Sequence, residues 1–335
     1  MKVLSLFDGI SCARVALERA GISVEQYFAS EVDKYAIEIA KKNWPDTVHL
    51  GDVRTVKCIS GIDLLIGGSP CQDLSIAKIG RKGLAGERSG LFWEYVRILK
   101  ETNPRYFILE NVASMSADAK QVITDTLGVE PIMIDASLVS AQRRKRLFWT
   151  NIPGVQLPED RHIYLKDIID EGYTPDEKSY VLTATYAKKN ARDYFGYASG
   201  QMVFNKPVQI GEVAKGMSGR VYLINGKSVA LKALGGGSGA KTGLYLVGKP
   251  RGRNPGYVDA EKTPTLTSSG WDRNNFLVWL EENGYYVRKL TPIECERLQG
   301  VPDGYTEGIS MTQRYTTLGN AFNADVIAHI LSFLG

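Results

Sequence analysis

Histidine, cysteine and long apolar runs are all scarce in this chain, and each shortage removes a class of function. Three histidines occur, His49, His162 and His329, far apart in the sequence. No Cys-His or Ser-His grouping is visible along the chain, so the usual proton relay of hydrolases has no sequence support. The four cysteines, Cys12, Cys58, Cys71 and Cys295, include no C-x-x-C pair. Neither a zinc site nor a disulfide framework is expected, and no metal is assigned. No stretch approaches the roughly 20 apolar residues of a membrane span. The opening MKVLSLFDGI runs into a strand pattern without a signal peptide's apolar core and cleavage site. A cytoplasmic protein with no membrane attachment is the expectation. The first strand-to-helix turn also lacks G-x-G-x-x-G, which argues against a dinucleotide oxidoreductase.

What is present reads as an α/β domain followed by something different. The chain has 335 residues, 44% hydrophobic and 23% charged, ordinary globular values with length for a core and a second lobe. Through residues 2 to 152 apolar runs alternate with helical patterns. VLSLF, EQYFAS, TVHL, IDLLIGG, YFILENV, PIMIDASLV and RLFWTNI read as strands. ARVALERA, DKYAIEIAKKN, LFWEYVRILK and the stretch from Ala119 to Leu127 read as helices between them. IDLLIGG is continuously apolar, as in a buried parallel sheet. The fold class predicted is a Rossmann-like, doubly wound, mostly parallel sheet with a smaller, irregular β-rich insertion. From Pro175 to Leu280 the chain holds 15 of its 34 glycines. There 15 Lys and Arg face 7 Asp and Glu, an excess of +8 in a chain whose net charge is +4. Three weakly similar pieces, SYVLTATY, KSVALKALGGG and KTPTLTSSGW, read as short strands ending in turns. A helix is predicted from Thr291-Pro292 to Gln299 and another from Ala324 to Phe333. The expected division is therefore 1–158 with 286–335, and an inserted domain over 159–285.

In open α/β sheets, ligands sit beyond the carboxyl ends of the strands. Three such ends are informative. Phe7-Asp8-Gly9-Ile10-Ser11 is a tight turn into a helix. Glu31, 22 residues after Gly9, ends the second strand, where an acid can accept bonds from ribose hydroxyls. Gly51-Asp52-Val53 follows the third, where an Asp could accept from an adenine amine. Each alone is as readily a helix cap or a solvated turn. In sequence order they favour an adenosyl cofactor without a pyrophosphate, such as S-adenosylmethionine.

Two further strand ends carry chemistry. IDLLIGGSPCQDLS sets Cys71 just past a buried strand, and YFILENV sets Glu110 at the end of the next. A right-handed βαβ unit brings both to one sheet edge, with strands about 4.8 Å apart. A cysteine here is more often an inert thiol, but a carboxylate ending an apolar strand is costly without a task. One thiolate, one carboxyl and a methyl donor suit methylation at C5 of cytosine. Thiolate attack at C6 makes C5 enamine-like, and a carboxyl on N3 and the exocyclic amine stabilises the charge that develops.

These residues resemble the DNA cytosine-5 methyltransferases of bacteria and phages, nearly throughout the catalytic portion. LSLFDGISCARVALERAG is similar to the first cofactor motif, SEVD and GDV to the second and third. SPCQDLS, ENV, QRRKR and LGNAF resemble the catalytic, carboxylate, arginine and C-terminal motifs. The resemblance implies S-adenosylmethionine held by Phe7, Asp8, Gly9, Ile10, Glu31, Val32, Asp52, Val53, Pro70, Leu91, Asn320 and Ala321. It implies Cys71 as nucleophile, Glu110 as ring-binding acid, and Arg144 and Arg146 reaching the cytosine and its loop, with Gln142 opening that motif. Arg143 and Lys145 are surplus charges of the run. The loop from Gln72 to Gly90, with Ser75 and Arg88, would close over DNA, although Ala77 stands where some relatives have a serine. In the inserted lobe, Arg220, Lys232, Gly236, Lys241, Arg251, Arg253 and Arg273 are the expected contacts, and Ala230 replaces a phosphate-contacting threonine. The implied partner is double-stranded DNA, engaged by a monomer that rotates the target base out of the helix. Two alternatives stay open: a tRNA cytosine methylase, whose CFT signature is missing, and a silent DNA-binding module.

Overall fold

The computed structural model describes residues 1–69, 91–170, 174, 177–188 and 287–334, with the short segments 202–204, 209–212, 220–222, 246–248, 257–258 and 275–277 between them. Two compact units divide the chain. The first comprises Met1–Ile169, Asp176–Gln201 and Leu290–Gly335, and the second Asp170–Pro175 with Met202–Lys289. The first unit thus extends past Pro158, where the composition changes.

Seven strands form the sheet of the first unit: β1 (Lys2–Leu6), β2 (Gln26–Ser30), β3 (Val48–His49), β4 (Leu64–Gly67), β5 (Tyr106–Val112), β6 (Ile132–Asp135) and β7 (Lys145–Thr150). Their spatial order is β3-β2-β1-β4-β5-β7-β6. All neighbouring pairs from β3 to β5 are parallel, and β7 alone is reversed, running antiparallel to both β5 and β6. The strand order turns back between β1 and β4, which is where a doubly wound sheet opens a crevice at its carboxyl edge. Leu4, Leu6, Leu65, Phe92, Tyr95, Leu109 and Trp149 build the core on one face. The indole of Trp149 is satisfied there by Thr124 Oγ1 at 3.0 Å.

The helices end where their sequences say they should. Asp33 caps α2 (Lys34–Asn43) by accepting from the amides of Tyr35 and Ala36, and α4 (Ala117–Leu127) starts on Ser116 and stops at Gly128 in the left-handed region. Between the crossovers lie α1 (Cys12–Arg19) and α3 (Leu91–Thr102). After the second unit, α5 (Pro292–Gln299) opens with a Thr291/Glu294 capping box and a proline in its first turn. It is followed by α6 (Met311–Asn320) and α7 (Ala324–Leu331). α6 was not anticipated. Its buried face is only Tyr315, Thr317 and Leu318, too short a stripe to register as periodicity. An ion pair from Arg314 to the fully buried Glu296 at 2.8 Å fixes it instead. Gly319 on the same helix lies so close to the Thr183–Ala184 peptide that any Cβ would overlap it.

The piece SYVLTATY is not a strand. Ser179 forms an isolated bridge with Gln142, and a 3₁₀ turn follows at Tyr186–Lys188. The aromatic at Tyr186 is buried in the first unit and accounts for the apolar pattern. In the second unit three small antiparallel sheets are described: β8 (Met202–Phe204) with β14 (Val287–Lys289), β9 (Gln209–Glu212) with β10 (Arg220–Tyr222), and β11 (Leu246–Gly248) between β12 (Tyr257–Val258) and β13 (Asn275–Leu277). KSVALKALGGG and KTPTLTSSGW lie outside the described residues. Among those described, no helix is long and apolar enough to cross a membrane.

Candidate active site

The turn after β1 is built under backbone strain. Phe7, Gly9 and Ser11 take φ of 57°, 59° and 61°. Two of these are side-chain-bearing residues in a region that L residues rarely occupy, and such residues cluster where a ligand is to be gripped. Nothing lies within 4 Å of the place a Cβ on Gly9 would take, so the turn faces open space. Glu31, at the carboxyl end of β2, locks it from the side. Its Oε2 accepts from Gly9 N at 2.8 Å, and its Oε1 from Val32 N at 2.7 Å and Asp33 N at 2.8 Å. A carboxylate has about four acceptor positions, so three bonds leave one for an outside hydroxyl. Val32 beside it is 70% exposed, an apolar side chain with no intramolecular cover.

Beneath this turn Asp8 points inward. Tyr27 Oη and Ser11 Oγ donate to its two oxygens at 2.6 and 2.5 Å. Burial pushes its carboxyl up to about 6, against the hydrogen bonds that favour the charge. The side chains of Asp8, Ile10, Val53 and Ala321 are all buried, so those expected cofactor contacts can offer only backbone. Asp52 was expected to meet an adenine amine. Its carboxylate caps the 3₁₀ turn Val53–Thr55 and grips Arg54, at 2.5 Å to Nη2, which holds it down at about 2. Leu91 opens α3, half-buried, and Asn320 ends α6, exposed.

The chemistry-bearing groups meet at the carboxyl ends of β4 and β5. Gly67 pairs in register with Leu109, so Gly68, just past β4, comes beside Glu110, which β5 still pairs to β7. Arg146 arrives from the reversed strand, two places from Phe148, the residue opposite Glu110. Its Nε lies 2.6 Å from Glu110 Oε1, with both side chains mostly enclosed. Asn111 turns its amide onto Ser69, reaching Oγ at 3.2 Å and the carbonyl at 3.3 Å. That ties β5 to the exit of β4, two residues before Cys71 in sequence. Phe322 and Asn323 line the same cleft as Glu110, Arg144 and Arg146.

Arg144 and Arg146 are set to different tasks. Arg144 is buried, and its guanidinium donates to the carbonyls of Leu182 at 3.3 Å and Ala321 at 2.8 Å. It therefore braces backbone rather than standing open to a base. Gln142 is fully buried, while Arg143 and Lys145 are exposed, as surplus charges should be. None of the described cysteines suits a nucleophile. Burial pushes the Cys12 thiol up to about 12 and the Cys295 thiol well above its usual range. Cys58 is exposed but bonds the Glu101 carbonyl at the far end of α3, at the opposite edge of the sheet from Glu110. Pro70, Cys71, Gln72, Ser75, Ala77 and Arg88 lie outside the described residues, as do Ala230, Lys232, Gly236, Lys241, Arg251, Arg253 and Arg273. Arg220 begins β10, and its side chain lies outside them too.

The family profile of the C-5 cytosine-specific DNA methylases matches residues 1–335. The chain is a member of that family. Among curated relatives, the methylase is 28% identical to the type II methyltransferase M.HhaI of Haemophilus parahaemolyticus, over 100% of this chain and 94% of that protein. It is 29% identical to M1.ScrFI of Lactococcus lactis subsp. cremoris, over 96% and 74%. The type II methyltransferase M.Sau3AI of Staphylococcus aureus is 27% identical, over 98% and 94%. Of solved structures, the Entamoeba histolytica methyltransferase EhMeth superposes with a TM-score of 0.62 at 16% identity, covering 100% of this chain and 97% of that one. A DNA modification methyltransferase encoded in an Escherichia coli prophage gives 0.56 at 18%, covering 100% and 98%. These likenesses carry the fold, and the family carries the reaction: methylation of cytosine in DNA at C5.

Sequence reasoning about the methylase missed Gly68, Asn111 and Phe322. Asn111 had a visible signal, because an amide next to a chemistry-bearing acid on a buried strand needs a partner. Phe322 closes LGNAF, but nothing along the chain sets it against Gly68, 254 residues earlier.

Proposed function

We infer that this methylase moves a methyl group from S-adenosylmethionine to C5 of a cytosine rotated out of duplex DNA, with Cys71 attacking C6 and Glu110 binding the ring. The observation that carries the reading is the meeting of Glu110, Arg146 and Gly68 at one sheet edge, one strand away from the turn at Gly9. Glu31 fits an adenosyl group: it retains acceptor capacity for a ribose hydroxyl, Val32 offers an apolar face, and the turn after β1 lacks the G-x-G-x-x-G phosphate fingerprint. When bound, the cofactor supplies a methyl group made electrophilic by its sulfonium.

The chain's own residues do the rest. The Cys71 thiolate forms a bond to C6, and the electron pair pushed to C5 takes the methyl group. Glu110, oriented by Arg146, bonds N3 and the exocyclic amine, where charge builds up during the attack. Loss of the C5 proton to a base and departure of Cys71 then restore the aromatic ring and the free thiolate. The basic lobe over 159–285 supplies target recognition, and the protein works as a monomer.

Duplex DNA carrying 5-fluorocytosine tests this. Fluorine blocks the final elimination, so an adduct stable to denaturation is expected, and Cys71→Ala removes it. No adduct, or one that survives the substitution, refutes the mechanism. Labelling of tRNA in preference to duplex DNA would instead favour a tRNA methylase on the same scaffold.

A further inference from the structure

We propose that Phe322 is a positioning residue for the base-binding acid and for the exit of β4. This rests on the reading of Glu110 given above. A Cβ built on Gly68 would stand 2.5 Å from Phe322 Cε1, 3.0 Å from Phe322 Cζ and 3.1 Å from Glu110 Oε2. One edge of the phenyl ring therefore lies directly on the Gly68 backbone, and the second oxygen of Glu110 lies at the same spot. The first oxygen, Oε1, is held by Arg146. The ring thus stands at the same point of the Gly68 backbone as the second oxygen of a carboxyl group whose first oxygen, among the described residues, is held by Arg146.

The ring is a buried core side chain in a cleft that Ile134, Phe148, Val326 and Ile327 also line, but its edge meets the bare backbone of Gly68 where Glu110 also lies. Its own backbone is pinned on both sides. The Ala321 carbonyl accepts from Arg144 at 2.8 Å. Asn323 donates to Leu298 O at 2.9 Å and to Ser140 Oγ at 3.2 Å, and caps α7. A ring anchored this firmly transmits its position to whatever it touches. What it meets is the last glycine of GGSPC, at the point that the acid of ENV also borders. Glycine is required at 68 because any side chain would displace either the ring or the carboxylate.

The test separates positioning from support of the fold. Phe322→Leu and Phe322→Ala are compared with wild type for thermal melting, cofactor affinity by calorimetry, and turnover at saturating DNA and cofactor. Release of tritium from DNA carrying 5-tritiated cytosine, measured with S-adenosylhomocysteine in place of the donor, reports thiol addition and exchange at C5 without methyl transfer. Phe322→Ala is expected to slow both turnover and tritium release roughly 10- to 100-fold, the scale of an ångström-sized misplacement. Cofactor affinity should change less than about threefold, and Phe322→Leu, which keeps apolar bulk, should retain more of the rate than Phe322→Ala. Gly68→Ala should be equally slow, and Gly68→Ala/Phe322→Leu faster than Gly68→Ala alone, because the smaller side chain makes room for the added methyl. Should Phe322→Ala not fold, the Gly68 pair carries the test. Lost cofactor affinity with normal turnover at saturation would overturn the proposal, as would unchanged tritium release or strictly additive Gly68 and Phe322 effects. If wild type itself releases no tritium and methylates no DNA, it is the assignment of Glu110 and Cys71 that fails.

Discussion

The two carboxylates of the site, Glu31 and Glu110, are held in opposite ways. Glu31 is fastened by three backbone amides, all within 22 residues of it in sequence. Glu110 is fastened by a side chain, Arg146, and bordered by another, Phe322, both supplied by distant segments. Backbone amides cannot be removed by substitution, so the cofactor side is robust and locally encoded. The base side depends on tertiary packing being right, and one replacement can undo it. A group that only has to bind can be preset by a turn. A group that must meet a base brought in from a duplex needs an orientation that several elements agree upon.

That contrast can be broken deliberately. The largest effect is expected at Glu110. Glu110→Gln keeps the shape but removes the ionisable oxygen, and single-turnover methylation should fall roughly 100- to 1,000-fold, with cofactor affinity intact. A loss confined to cofactor binding would show that the two carboxylates had been assigned the wrong way round. Glu31→Ala is the converse. Its cofactor Kd should rise about 10- to 100-fold, the worth of hydrogen bonds to a charged group, while turnover at saturating cofactor changes little. Equal losses in both quantities would erase the distinction.

The smallest effect is on stability, through Asp8. Its folded-state carboxyl is raised to about 6 from 3.8, so in that window the folded protein holds more of its proton than the unfolded chain. Stability from this group is therefore greatest at the acid end, falls as pH rises from about 4 to about 6, and is level above that. Asp8→Asn should flatten this part of the melting profile between those values, and parallel profiles for the two proteins would contradict it.

The alternation of strands and helices, the start of α5 at Thr291-Pro292 and the position of Glu31 just past β2 were legible in the sequence, because each depends on residues a few places apart. Asp52 shows where legibility stops: whether its carboxylate faces a ligand or Arg54 is decided by a neighbour two residues on that could serve either role. Arg144 and Arg146 could not be told apart by type or spacing. Both reach the cleft, and only the positions of Ala321 and Glu110 in space give one a brace and the other an acid. α6 escaped because a buried ion pair, rather than an apolar stripe, holds it in place.

The single reversed strand also acts as a ruler. In its pleat, alternate side chains face opposite ways, so Arg146 turns into the cleft while Lys145 beside it is exposed. Inserting or deleting one residue between Arg146 and Phe148, with Phe148 held opposite Glu110, would turn the partner of Glu110 to the other face of the sheet. The spacing between those two residues is thus fixed by parity.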